Sequence, residues 1–149
     1  MRTREVGVHT LRESPLPALL TDVKEHLVGQ LHRRLAEEGF GDLRHRHGPT
    51  FRFIDEVGCR LTDLADCTGL TKQGIGEVVS ELEQLGYVER VPAPADRRAK
   101  IIRLTERGQK CQGAAARILG DIEQTWTGRF GDDRMTALRH VLEAVVREP

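Results

Sequence analysis

The side chains with the chemistry to grip a polyanion fall into two short stretches of this 149-residue chain. Thr71, Lys72, Gln73 and Gly76 sit together where an apolar-periodic run begins. Arg97, Arg98 and Lys100 crowd the stretch PAPADRRAK, opposed only by Asp96. A hydroxyl, an ammonium and a carboxamide at one helix N-terminus can hold phosphates and read base edges. Guanidinium groups on a protruding hairpin suit phosphate contact, or insertion into the narrow, negative minor groove. Three basic residues taken alone are more often an ordinary solvated loop. Their place after a correctly spaced helix pair is what favours DNA.

The other candidates for chemistry are weaker. Cys59, Cys67 and Cys111 are isolated thiols, and an odd count without CxxC spacing fits a reducing compartment with no structural disulfides. Cys67 is expected to be a small buried hydrophobe. His45 and His47 form an HxH pair in a segment rich in Arg and Gly, which reads as a solvated linker or an occasional ligand contact. With no nearby Cys or third His they are a poor metal site. Phe51, Phe53 and Trp126 could line a small-molecule crevice, although aromatics at helical spacing are more often plain core. No Gly-rich phosphate loop and no nucleophile with a matching base occurs, so neither an enzyme nor a cofactor is expected.

The elements that must position the two basic stretches are legible in the pattern around them. Thr62 is placed to cap a short helix with Leu64 and Ala65 as its buried stripe, and Gly69 to end it in a left-handed conformation. Thr71 opens the next helix, where Ile75, Val78, Val79, Leu82 and Leu85 recur at three- and four-residue spacing. Lys72, Gln73, Gly74, Gly76 and Glu77 are left on the opposite face, and Gly86 stops the helix. Residues 87–91 and 100–104 then read as two strands around the basic tip. Helix, tight turn, amphipathic helix and basic hairpin are the layout of a winged helix-turn-helix. In that layout the N-terminal part of the second helix enters the major groove.

The segment from Leu61 to Leu104 resembles the DNA-binding lobe of the MarR family of bacterial transcriptional regulators. The resemblance is carried by LTDLADCTGLTKQ at the helix pair, LEQLGYVER at the exit of the second helix and PADRRAKIIRLTERG at the wing. It implies that Thr71, Lys72 and Gln73 make the main groove contacts, and that Asp96 braces Arg98, which enters the minor groove. Gly76 and Glu77 stand where the family often has a basic or hydroxyl residue, so the usual set of base contacts does not carry over whole. The resemblance also implies a homodimer with interlocked terminal helices. Such a protein acts as a repressor, released by a small phenolic or other lipophilic effector bound between the dimer lobe and the DNA-binding lobe. Relatives that sense oxidants use a cysteine near the N-terminus in the first helix, and this chain has none there.

Basic and acidic residues number 23 each, so the net charge is zero, where a nucleic-acid binder usually carries a basic excess. The hairpin is nonetheless locally basic, while the helix pair sets Asp63, Asp66, Glu77, Glu81 and Glu83 against Lys72 alone. Most of those acids must point away from phosphates if the chain binds DNA, and Glu77 stands against it. An alternative of a different class therefore stays open: a winged-helix protein-interaction or assembly module that does not bind DNA.

The expected fold is mainly α, a winged helix-turn-helix with a small β-hairpin wing and N- and C-terminal dimerisation helices. A chain of this length fits a single domain, 1–149, with dimerisation helices in 1–39 and 105–149 around a DNA-binding lobe at 47–104. Leu16, Leu19, Leu20, Val23, Leu27, Leu31 and Leu35 form one long stripe ending near Gly39, and a second helix is expected from about His47 through Phe51, Ile54 and Val57. Thr105 can cap a long helix carrying Ile118, Leu119, Ile122 and Trp126 to about Phe130. Asp132 then starts a last helix with Met135, Leu138, Leu142 and Val145 along one side. Apolar edges on the first and last helices are hard to bury in a monomer, and a symmetric dimer would cover them. Two recognition helices about 34 to 36 Å apart would then meet an inverted-repeat operator. The first dozen residues lack a hydrophobic signal core and are expected to be a loosely held arm. No run approaches the roughly 20 apolar residues of a membrane span, and a bacterial cytoplasm is the expected compartment.

Overall fold

The computed structural model describes residues 14–149 of the chain, and the arm expected over the first dozen residues lies outside them. In chain order come α1 (Leu16–Glu37), a 3-10 turn at His45–His47, α2 (Gly48–Phe51), α3 (Leu61–Thr68), α4 (Lys72–Gln84), β1 (Val88–Pro92), β2 (Lys100–Leu104), α5 (Glu106–Phe130) and α6 (Asp132–Arg147). The winged helix spans α2 to β2, and the three long helices flank it in sequence.

The core is continuous from the winged lobe into the base of the long helices. Leu64 and Ala65 of α3 and Ile75, Val78, Val79 and Leu82 of α4 meet Tyr87, Val88, Ile102 and Leu104 of the hairpin. Leu35 from the end of α1, with Cys111, Ala114, Ile118 and Ile122 of α5, closes the same cluster. Gly69 ends α3 at φ 70°, a left-handed conformation that costs a glycine no Cβ clash, and its N–H returns to Ala65 O at 2.9 Å. The strands pair antiparallel with Val88 opposite Leu104 and Pro92 opposite Lys100. That register places Ile102 and Leu104 on the core side of β2.

Three local expectations are corrected. The helix expected to run through Val57 stops at Phe51. Asp55 Oδ1 instead accepts the Gly58 N–H at 2.7 Å, turning the chain so that Cys59 exchanges two backbone hydrogen bonds with Ile102. The outer edge of β2 would otherwise expose unpaired amides and carbonyls, and this extended segment covers part of it. The first helix of the pair is capped at Arg60 rather than Thr62, with the Asp63 carboxylate accepting the Arg60 N–H at 3.3 Å. Cys67 is exposed, not a buried small hydrophobe; the buried residues of α3 are Leu64 and Ala65.

Outside the shared core the long helices leave much apolar surface open. Leu16, Leu19, Leu20 and Val23 of α1 are exposed, and α6 packs against α5 without burying a single residue. Leu138, Val141, Leu142, Val145 and Val146 form an uncovered stripe along α6. No helix among the described residues is long and apolar enough to cross a membrane.

Candidate nucleic-acid interface

The buried face of α4 fixes which way its N-terminal turn looks. With Ile75 and Val79 fully enclosed, Thr71, Lys72 and Gln73 are left on the solvent side. Thr71 is the N-cap, and its Oγ1 accepts the Gly74 N–H at 3.1 Å. That bond satisfies one of the orphan amides of the first turn and leaves the hydroxyl proton available to an outside acceptor. Lys72 has no ion-pair partner among the described residues. A Cβ at Gly76 would meet nothing within 4 Å, so this position opens the helix backbone toward the same side.

The wing tip is shaped by its acidic residue. Asp96 Oδ1 accepts the backbone N–H of Arg98 at 3.0 Å, and Asp96 O accepts the N–H of Ala99 at 3.0 Å. The contact between Asp96 and Arg98 thus runs through the peptide backbone. Arg97, Arg98 and Lys100 are exposed, and none has an ion-pair partner among the described residues. The other two basic residues of the hairpin are occupied. Arg90 reaches Glu83 at 3.1 Å and Ser80 at 3.3 Å, while Arg103 pairs across the strands with Glu89 at 2.7 Å. Free positive charge is thereby concentrated at the tip.

The same pairing answers most of the acidity of the helix pair. Glu83 is held by Arg90, and Asp63 is turned onto its own helix N-terminus. Glu81 accepts from His47 Nε2 at 2.7 Å and pairs with Arg46 at 3.1 Å. The hydrogen bond from His47 is the main reason its carboxyl sits below the ordinary value; the charge of Arg46 adds to it, and partial desolvation opposes it. Glu77 and Asp66 remain exposed without an ion pair among the described residues.

His47 corrects the reading of the HxH segment as a solvated linker, since it is 1% exposed. Its Nδ1 accepts the Arg44 N–H at 3.0 Å, so the proton lies on Nε2, facing Glu81. A signal for its burial was present, because His47, Thr50, Phe51 and Ile54 share three- and four-residue spacing and are all buried. Its partner Glu81, 34 positions away, carried no such signal.

The aromatic residues considered for an effector crevice do not come together. Phe51 is core, edge-on to Tyr87 at 5.7 Å, and Phe53 is exposed beneath the Arg52 guanidinium. Trp126 lines a separate groove of about 440 Å³ between α1, α5 and α6, with Val23, Leu27 and Leu119. The geometric reason is that Phe51 ends α2 facing the core, whereas Phe53 lies in the turn beyond it and faces solvent. The thiols of Cys59 and Cys111 are both pushed up to about 11, each chiefly by burial, which keeps them protonated and unreactive at neutral pH.

Comparison with known proteins finds transcriptional regulators similar to this chain. A sequence model of the MarR family matches residues 42–99. The transcriptional regulator HosA of Escherichia coli O111:H- is 29% identical over 79 residues, 53% of this chain and 58% of HosA. The match therefore spans little more than half of that relative's length. The fold is similar to that of CouR from Rhodococcus jostii RHA1, solved bound to p-coumaroyl-CoA, with TM-score 0.65, 26% identity, and 88% of this chain and 91% of that one covered. It is also similar to the reduced form of MarR from E. coli, with TM-score 0.71, 22% identity, and 89% and 96% covered.

Proposed function

We propose that this chain, whose residues 42–99 match a sequence model of the MarR family, is a dimeric, sequence-specific DNA-binding regulator of the bacterial cytoplasm. The observation that carries this reading is the sorting of charge. Within α3, α4 and the hairpin, the exposed cations with no ion pair among the described residues, Lys72 at the start of α4 and Arg97, Arg98 and Lys100 at the wing tip, stand where a duplex would be met, while most acids of these elements are tied to basic partners or backbone amides.

Docked in the major groove, the first turn of α4 offers Thr71 to a phosphate and Lys72 and Gln73 to base edges, with the open surface at Gly76 admitting close approach. The wing supplies phosphate contacts and sends Arg98 toward the minor groove. Helices from 1–39 and 105–149 of two copies cover one another's apolar edges around the lobe at 47–104. The two-fold axis then sets an inverted-repeat operator. A small phenolic or other lipophilic effector, in the manner of the acyl-CoA held by CouR, would weaken binding by preferring a dimer of the wrong spacing. Such a protein represses when free and releases DNA when loaded; it is a regulator and not an enzyme.

A gel-shift of the purified full chain on its own upstream intergenic DNA tests the reading. A shift at low salt that sharpens to one site as salt rises is expected. No shift from a folded dimer would overturn the reading and favour the protein-interaction module to which exposed Glu77 points.

A further inference from the structure

Both places where the chain passes between its long helices and the winged lobe converge on one side chain. The first crossing, residues 38–44, leaves α1, and the second, residues 104–106, enters α5. Arg107, in the first turn of α5, grips the first crossing with both prongs. Nη1 and Nη2 each lie 3.1 Å from an oxygen of Asp42, and Nη2 also donates to Gly39 O at 3.3 Å. Nη1 donates to Leu85 O at the end of α4 as well, and the guanidinium lies 4.3 Å from the ring centroid of Tyr87. Tyr87, fully buried at the head of β1, donates its hydroxyl to the same Asp42 at 2.5 Å. Thr105 completes the junction, its Oγ1 donating to Gly86 O at 2.5 Å and its N–H to Tyr87 O at 3.1 Å.

We infer that Arg107, with Asp42 and Tyr87, is the positioning device that fixes the angle of the DNA-binding lobe against the dimerisation helices. It thereby sets the distance between the two recognition helices. The inference rests on the DNA-binding dimer proposed above. A planar fork of five donors is what the place requires, because one group must address two backbone carbonyls and a carboxylate while lying over an aromatic face. A cation at the C-terminal end of α4 is also favoured by the negative end of that helix.

The lever is long enough to matter. The 13 residues of α4 span about 20 Å. A tilt of roughly 10° about its C-terminal end moves Thr71 and Gln73 by about 3 Å, close to the roughly 3.4 Å rise of one base pair. Gln112 of α5 separately holds the other side of the lobe, donating to Phe51 O at 2.8 Å and Ile54 O at 2.7 Å. Loss of Arg107 therefore frees the angle while the lobe stays attached.

The test compares full-length wild type with Arg107→Ala, Arg107→Lys and Tyr87→Phe. The probes are duplexes made from the upstream site the wild type shifts, with the separation of its half-sites varied one base pair at a time, and one duplex with a single half-site. Wild type should bind best at one separation. Arg107→Ala should lose about tenfold at that optimum and show a flattened profile, with single-half-site affinity within about twofold of wild type. Arg107→Lys, which keeps the charge without the fork, should flatten the profile too. Variants that keep the wild-type optimum overturn the inference, as does an equal loss on every duplex including the single half-site. If Arg107→Ala does not fold, Tyr87→Phe, which removes one hydroxyl from the junction, decides by the same profile. A folded wild-type dimer that binds no duplex overturns the DNA-binding reading itself, and the inference with it.

Discussion

Gly108→Ala should destabilise the protein, while Gly113→Ala, five residues along the same helix, should stabilise it. A Cβ at Gly108 would lie 2.1 Å from Tyr87 O and 3.1 Å from Leu104 Cδ2, and real Cβ contacts essentially never fall under 3.0 Å. The start of α5 would have to withdraw from β1 by about 1 Å, which stretches the bond from Thr105 N–H to Tyr87 O. Overpacking of this kind costs about 1–3 kcal/mol, and a lost backbone hydrogen bond about 1 more. Alanine's helix propensity returns roughly 1 kcal/mol, which leaves a net loss of about 1–3 kcal/mol. At Gly113 an added Cβ meets nothing within 4 Å, so only the propensity gain of about 0.5–1 kcal/mol remains. Urea unfolding of both variants, followed by helical circular dichroism at one fixed protein concentration, measures the difference. A Gly108→Ala protein as stable as wild type would refute the close seating of α5 on β1, and with it the tight junction on which Arg107 acts.

Arg98→Ala should weaken binding to specific and nonspecific DNA alike and lower the salt slope by about 1, and an unchanged slope would remove Arg98 from the backbone contacts. Gln73→Ala should cost about 1–3 kcal/mol on the preferred site and relax one base preference, whereas equal losses on all sequences would reassign it to positioning. Thr50 is fully buried with no partner for Oγ1 among the described residues, so Thr50→Val should raise stability by about 1 kcal/mol in the same urea assay; a loss instead would mean the hydroxyl bonds a buried water. Burial disfavours the charge on Asp42, but the Tyr87 hydroxyl and the Arg107 guanidinium outweigh it and hold the carboxyl below its ordinary value. A carboxyl depressed in the folded state stabilises fully at neutral pH and loses that contribution as pH falls from about 4 through its lower folded value. Asp42→Asn should therefore flatten the acid limb of the stability curve, and superimposable limbs in both proteins would count against this account.

What the order of residues determined by itself was everything that depends on neighbours along the chain. The spacing of Ile75, Val78, Val79 and Leu82 marks the buried face of α4, and therefore the exposed one, because helical geometry alone decides which side chains share a side. The place of Gly69, the cap at Thr71 and the strand at residues 100–104 follow from equally local chemistry. Three- and four-residue spacing failed where a partner distant in sequence competed for the backbone. Phe51 should have been followed by more helix, yet β2 claimed residues 55–59 for its open edge. The charge balance misled in the same way, since a tally of acids along the helix pair does not record that Glu81 meets His47 and Arg46, or that Glu83 meets Arg90. Tertiary structure alone decided which cations stay free of ion pairs and how the lobe is set against the long helices. Arg107 and Asp42 are 65 positions apart, and nothing in either local pattern encodes that folding brings two chain crossings to one guanidinium.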